Sequence, residues 1–216
     1  MTQTLVYPVR PGDDNEELRY SLRSLGNRNV EVIIVGHRPW WVKPDLFIPG
    51  NQEMGKWHNV PANIRLAARE LTGEMIVMND DFFLLSGGFP MIRHRDDMVS
   101  HAGNCKPSAW RTTLEAVYEV CGPKAKSYEL HEPFRCDAEK MVTAIDVAMT
   151  TTPLPAQWRS VYGNLYAPNA RKGVDPKWRP GRPIPTKGWL STSDRTWAEA
   201  GKELRSRLVT PSRWER

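Results

Sequence analysis

Three short runs built entirely from apolar residues, Leu5-Val6-Tyr7, Val32-Ile33-Ile34-Val35 and Met75-Ile76-Val77-Met78, constrain this chain more than any other feature. Continuous apolar strands are buried on both faces, and such strands belong to parallel sheets covered by helices on either side. The intervening segments supply those helices. Leu18, Leu22 and Leu25 recur at helical spacing between the first two runs, with Asp13 and Asp14 as candidate caps and Glu16 and Glu17 at the positive end of the helix dipole. Val60, Ile64, Ala67, Ala68 and Leu71 form a second stripe, stopped by Gly73 just before the third run. The pattern predicts a doubly wound α/β domain with a mostly parallel central sheet flanked by helices.

The later elements follow the same logic. Ser108 to Cys121 reads as a helix with Leu114 and Val117 inward and Gly122-Pro123 as its stop, and Asp137 caps another through Met141, Ile145 and Ala148. Seven prolines between Pro153 and Pro185 predict an irregular segment, either a flexible stretch or a lid. Asp194 to Leu208 resumes as a basic amphipathic helix. Residues 1–152 are thus expected to form a catalytic core, and residues 153–216 a proline-rich basic extension packed on it rather than an independent domain.

With 216 residues, 40% hydrophobic and 25% charged, the chain has the composition of a globular protein with a full core. It shows no basic-apolar leader and no apolar run of membrane-spanning length, so a cytoplasmic enzyme or binding module is expected. Cys105, Cys121 and Cys136 are odd in number and widely spaced, which suits reduced thiols. The net charge of +5 is unevenly spread: residues 1–155 hold 17 Lys and Arg against 20 Asp and Glu, residues 156–216 hold 13 against 5. The basic quarter is open to three readings: a nucleic-acid patch, a solvated surface, or a lid that grips phosphates.

The chemistry concentrates where the third run ends, at Asn79-Asp80-Asp81, followed by Phe82-Phe83-Leu84-Leu85. A carboxylate flanked by buried strands is costly unless it is paired or binds a metal, and two adjacent acids cannot pair with each other. A hard divalent cation bridging them to a phosphate resolves the conflict and points to a nucleotide-type ligand. In an open α/β sheet ligands sit beyond the carboxyl ends of the strands, so Tyr7-Pro8-Val9-Arg10-Pro11-Gly12, Gly36-His37-Arg38 and Asn79-Asp80-Asp81 are expected around one crevice. Arg19, on the first helix with Asn15 and Arg23, is placed to reach it. Lys56, Asn59 and Asn63 form a second group at a helix start, where an amide serves as a cap or meets a base or ribose. Trp40, Trp41 and Trp57 are open to base stacking or to core packing.

Apolar strand, Asp14 to Leu25, Lys56 with Asn63, and Asn79-Asp80-Asp81-Phe82-Phe83 together resemble nucleotide-sugar transferases of GT-A fold. The blocks 14–25 and 78–83 are most similar to the Stealth group of capsular polysaccharide phosphotransferases, and the resemblance covers roughly residues 13–165. It implies a Rossmann-like GT-A domain using a nucleotide-sugar donor, UDP-linked in the first instance, and a glycan or protein hydroxyl as acceptor. Asn79, Asp80 and Asp81 would occupy the place of the metal-binding Asp-x-Asp motif, with Asp81 the direct ligand of Mn²⁺ or Mg²⁺ and Asp80 a second ligand or the orienter of the donor sugar. Pro8, Val9, Arg10, Arg19, Lys56, Asn59, Asn63 and Asn79 would line the donor site. His131 would serve as base or metal ligand, Glu132 as an alternative base, and Arg159 would neutralise the transferred group. The first turn departs from the group's acidic, tryptophan-containing pattern, and Asn79 stands where the first acid of the motif is usual. The resemblance leaves two reactions open, sugar transfer releasing a nucleoside diphosphate and sugar-phosphate transfer releasing a monophosphate. A polyanion- or nucleic-acid-binding role for the basic quarter, with Trp178, Trp189, Trp197 and Trp214, is the non-enzymatic alternative and leaves Asp80 and Asp81 unexplained.

Overall fold

The structure is a computed structural model that describes residues 2–50 and 52–216. In chain order the described elements are β1 (Gln3–Val9), α1 (Glu16–Ser24), β2 (Val30–Gly36), β3 (Leu46–Pro49), α2 (Lys56–Arg69), β4 (Glu74–Val77), β5 (Phe82–Leu84), β6 (Arg93–His94) and β7 (Asp96–Asp97). They continue as α3 (Met98–Gly103), α4 (Ala109–Cys121), β8 (Lys126–Ser127), β9 (Phe134–Asp137), α5 (Ala138–Ala148), α6 (Trp158–Tyr166), β10 (Arg171–Lys172), β11 (Trp189–Ser191) and α7 (Asp194–Arg207).

The three apolar runs become the centre of one sheet. Its order is β3-β2-β1-β4-β9, with the first four strands parallel and β9 antiparallel to β4. Successive side chains of a strand point to opposite faces, so each run feeds two cores. Leu5, Tyr7, Val32, Ile34 and Ile76 pack with Leu18 and Leu22 of α1 and with Trp41 and Trp214. Val6, Ile33, Val35, Met75 and Val77 pack on the other side with Ile64 of α2, Leu114 and Val117 of α4, Met141 and Ile145 of α5, and Val161 of α6. Helices therefore cover both faces, which is why these strands carry no polar alternation.

Helix ends show where local rules hold. Asp137 caps α5 by accepting from the Lys140 N–H, Ser108 caps α4, and Gly122, at φ 80°, ends it. The cap of α1 is neither Asp13 nor Asp14 but Asn15, at φ 47°, whose side chain donates to the Arg10 carbonyl instead of accepting from a helix N–H. Asparagine tolerates this left-handed backbone better than most residues.

The proline-rich segment contains more regular structure than its composition predicts. Pro155 and Pro168 flank α6 without entering it, so the nine residues between Trp158 and Tyr166 form an uninterrupted helix with Trp158, Val161 and Tyr162 buried. Leu130 lies in the loop between β8 and β9. Beyond α6 the chain returns to the core: β11 pairs antiparallel with β5, α7 lies against α1, and Trp214 is 1% exposed within the α1 side of the sheet. Cys105, Cys121 and Cys136 are free thiols. Among the described residues no helix is long and apolar enough to cross a membrane.

Candidate functional site

The strand order places β2 on one side of β1 and β4 on the other, so the chain's connections diverge at the carboxyl ends of β1 and β4. A crevice at such a switch point is the usual ligand position in open α/β sheets. Here it is a cavity of about 430 Å³. Pro8, Val9, Arg10 and Pro11 line it from the end of β1, Asn79 and Asp80 from the end of β4, and Lys56, Asn59, Val60 and Asn63 from the start of α2. Of the residues assigned to the donor site from sequence, only Arg19 lies elsewhere: it pairs with Asp14 at 3.3 Å and lies 4.5 Å from the centre of the Trp41 ring. The four-residue step that groups Arg19 with Arg23 turns both toward the C-terminal Glu215.

The closing wall depends on glycine. Gly36 ends β2 at φ 103°, and a Cβ there would stand 2.6 Å from the Val9 carbonyl oxygen and against the amides of Gln52 and Asn63. Only glycine lets these groups converge. Gln52, a residue the sequence did not single out, donates to the Val9 carbonyl at 3.2 Å and completes the wall. Asn59 accepts from the Met54 N–H at 3.2 Å and so pins the turn before α2, while buried Asn63 has no partner for its Oδ1 among the described residues. His37 and Arg38 do not line the cavity; Arg38 stacks on Phe47.

Asn79, Asp80 and Asp81 form the turn from β4 to β5, and their side chains diverge. Asp80 faces the cavity. Burial and the neighbouring charge of Asp81 push its carboxyl up to about 6, only partly offset by Arg10. Asp81 turns to the C-terminal strand, where its Oδ2 accepts from Ser191 Oγ at 2.9 Å and lies 3.4 Å from the Lys177 ammonium. Glu17, at the start of α1, accepts from Thr192 Oγ1 and is raised to about 7 by burial, with Asp80 and Asp81 adding to the effect.

A second cavity of about 200 Å³ adjoins the first, sharing Lys56, Val60 and Asn79 with it. Its walls are aromatic and polar by turns: Trp57, Trp110, Trp158 and Phe82, with Glu129, His131, Gln157 and Arg159. Trp57 and Trp110 lie 5.9 Å apart. The other two tryptophans near the donor residues separate cleanly, Trp41 in the core and Trp40 75% exposed. Arg159 borders this cavity, but its Nη1 donates to the Leu130 and Glu132 carbonyls at 3.2 and 2.7 Å, and its guanidinium packs among Phe82, Phe134 and Trp158. Its first effect is to shape the loop that carries His131.

Glu132 does not reach either cavity. Its buried carboxylate closes on the Arg93 guanidinium, and its charge is thereby compensated. Asp137 is spent on capping α5. His131 borders the second cavity, and its Nδ1 lies 3.0 Å from Asp175, which comes from the proline-rich segment. Asp175 had no motif to announce it.

A metal site made by the protein alone is not assembled: among the described residues no three His, Cys, Asp or Glu side chains converge. His131 turns its Nδ1 to Asp175, and Asp81 turns to Ser191 and Lys177, which leaves Asp80 as the carboxylate on the first cavity. A carboxylate so placed fits a divalent ion held by one or two carboxylates together with substrate phosphates.

No protein-family model matches the chain, and no curated protein matches it by sequence. Among solved structures it is similar to the apo-form glycosyltransferase GlyE of Streptococcus pneumoniae TIGR4, at 7% sequence identity and a TM-score of 0.39. The match covers 81% of this chain and 45% of that one, so the chain spans less than half of that protein's length.

Proposed function

We propose that the chain is a nucleotide-sugar-dependent transferase of GT-A-like architecture that moves a sugar onto a hydroxyl acceptor. The observation that carries this reading is the cavity at the switch point of the parallel sheet, with its particular lining. Arg10 and Lys56 offer positive charge for a diphosphate, the amides of Gln52, Asn59 and Asn63 offer donors and acceptors for a base and ribose, and Asp80 faces the same space. The aromatic cavity opens next to it across Lys56 and Asn79, where a donor sugar and an acceptor would meet.

Asp80 would hold Mn²⁺ or Mg²⁺ jointly with the diphosphate. When bound, that ion supplies positive charge to the departing nucleoside diphosphate. The chain's own groups do the rest: Lys56 and Arg10 hold the phosphates, Asn63 orients the nucleoside, and the acceptor hydroxyl attacks the anomeric carbon. Stealth-like sugar-phosphate transfer is the second reading; the engagement of Arg159 with two backbone carbonyls favours glycosyl transfer over it.

Nucleic-acid binding finds less support. Part of the basic quarter is already paired with acids: Arg205 with Glu16, Lys177 with Asp81 and Arg207 with Glu203. Trp178 and Trp214 are buried, and Trp197 stacks on Phe83, so these rings are not available to bases.

Thermal-shift titration with UDP, GDP, CDP and their sugars, with and without Mn²⁺, tests the reading. Stabilisation by at least one nucleotide, weakened by Asp80→Asn and by Lys56→Ala, is the expected result. No nucleotide-dependent shift under any condition would overturn it. Where turnover is found, the released nucleotide distinguishes the two reactions, a diphosphate for sugar transfer and a monophosphate for sugar-phosphate transfer.

A further inference from the structure

The loop carrying His131 is gripped from two sides. Arg159, near the start of α6, holds the carbonyls of Leu130 and Glu132, and Ser160 donates through N–H and Oγ to Glu129 Oε1 at 3.1 and 2.8 Å. From the other side Asp175 accepts the His131 backbone N–H at 3.0 Å and lies 3.0–3.1 Å from Nδ1 through both carboxylate oxygens. Arg95 fixes Asp175 in turn at 2.7 Å. Burial pushes the Asp175 carboxyl up, but the His131 and Arg95 contacts prevail and hold it well below the usual carboxylate range. An ionised carboxylate only accepts, so Nδ1 carries the hydrogen, and in the neutral ring the lone pair lies on Nε2. The ring borders the aromatic cavity.

We propose that Asp175 is a positioning residue that holds His131 as the base for a carbohydrate acceptor hydroxyl bound in the cavity between Trp57, Trp110 and Trp158. The proposal rests on the transferase reading above. Aromatic walls suit the apolar face of a sugar ring, and Gln157 and Glu129 suit its hydroxyls. In the step itself the acceptor O–H proton passes to Nε2 of His131 while the acceptor oxygen bonds to the anomeric carbon. The bond from that carbon to the diphosphate oxygen breaks, and its electron pair leaves with the nucleoside diphosphate. Asp175 then faces the imidazolium that results and stabilises it.

Two measurements on the whole chain decide this. Long-range ¹H–¹⁵N correlation on the wild-type protein reads the His131 tautomer, and hydrogen on Nδ1 is expected. Steady-state turnover of UDP-glucose, UDP-galactose and UDP-N-acetylglucosamine with free hexoses as acceptors, beside calorimetric titration with UDP, GDP and CDP, reads the chemistry. Asp175→Asn and His131→Gln are each expected to lower kcat by about 100-fold or more with donor KM and nucleotide Kd changed by less than about twofold, and the double variant to lose little beyond either. Hydrogen on Nε2, or an Asp175→Asn variant with wild-type kcat, overturns the positioning role and leaves the transferase reading standing. Absence of nucleotide binding by the wild type overturns that reading, and this proposal with it. The tautomer measurement needs no variant, so it decides even if Asp175→Asn does not fold.

Discussion

Glu17 and Asp80 are carboxyls held against their preference for ionisation, raised to about 7 and about 6 by burial and by one another's neighbourhood. A folded-state pKa above the unfolded one means that the folded chain binds more protons across that window, so stability falls as pH rises from the ordinary carboxylate range through about 7 for Glu17 and about 6 for Asp80. Glu17→Gln retains an oxygen for Thr192 and cannot ionise. It is expected to melt close to wild type at pH 4 and at a higher temperature than wild type at pH 8, which calorimetry at the two pH values reads directly. An equal Tm difference at both would refute the electrostatic account. The same charge crowding explains why Asp81 is clasped by Lys177 and Ser191: of two adjacent acids, one is neutralised by the protein and the other faces the cavity.

At the scale of elements, the switch-point cavity exists because the ends of β1, β2 and β4 and the start of α2 converge without a side chain between them. Gly36 is the residue on which this depends. Gly36→Ala adds a Cβ against the Val9 carbonyl and forces a left-handed backbone on alanine, and it is expected to cost at least about 2 kcal/mol in chemical denaturation and to weaken nucleotide binding as well. Lys56→Ala, by contrast, removes an exposed charge at the helix start, and is expected to weaken binding of a nucleoside diphosphate by about tenfold in calorimetry with Tm unchanged. The helices themselves were legible in sequence wherever a cap or a glycine stop stood beside an apolar stripe, as at Asp137 and Gly122. α6 was not, because proline density over a window hides the proline-free interval within it.

Across the whole molecule, the charge asymmetry between the two parts of the chain is a set of clasps. Arg10 pairs with Asp194, Glu16 with Arg205, Arg23 with Glu215, and Trp214 fills the core on the α1 side while donating to Asp45. Charges of both signs in the C-terminal quarter thus answer charges of the core. Exposed pairs contribute little each, but the buried tryptophan contributes much. Trp214→Ala is expected to destabilise the chain by about 3–5 kcal/mol in urea unfolding, a size set by the loss of a fully buried aromatic and the cavity it leaves. A change under about 1 kcal/mol would show that the tail is docked without being needed.

The sequence by itself determined the parallel sheet with helices on both faces and the end of that sheet at which the polar residues gather. Both follow from side-chain periodicity and from residues adjacent in the chain. Seven of the eight residues expected to line a donor site meet at one cavity for the same reason, since strand ends and helix starts are local features placed by a topology with few alternatives. Only the tertiary structure decided which acid of the turn faces that cavity, that Arg19 faces the tail, and that His131 belongs with Asp175. These are choices of partner across 44 residues for His131 and Asp175, and 96 for Lys177 and Asp81. Such pairings depend on distances through space and on which charges burial leaves uncompensated, and no local spacing encodes either.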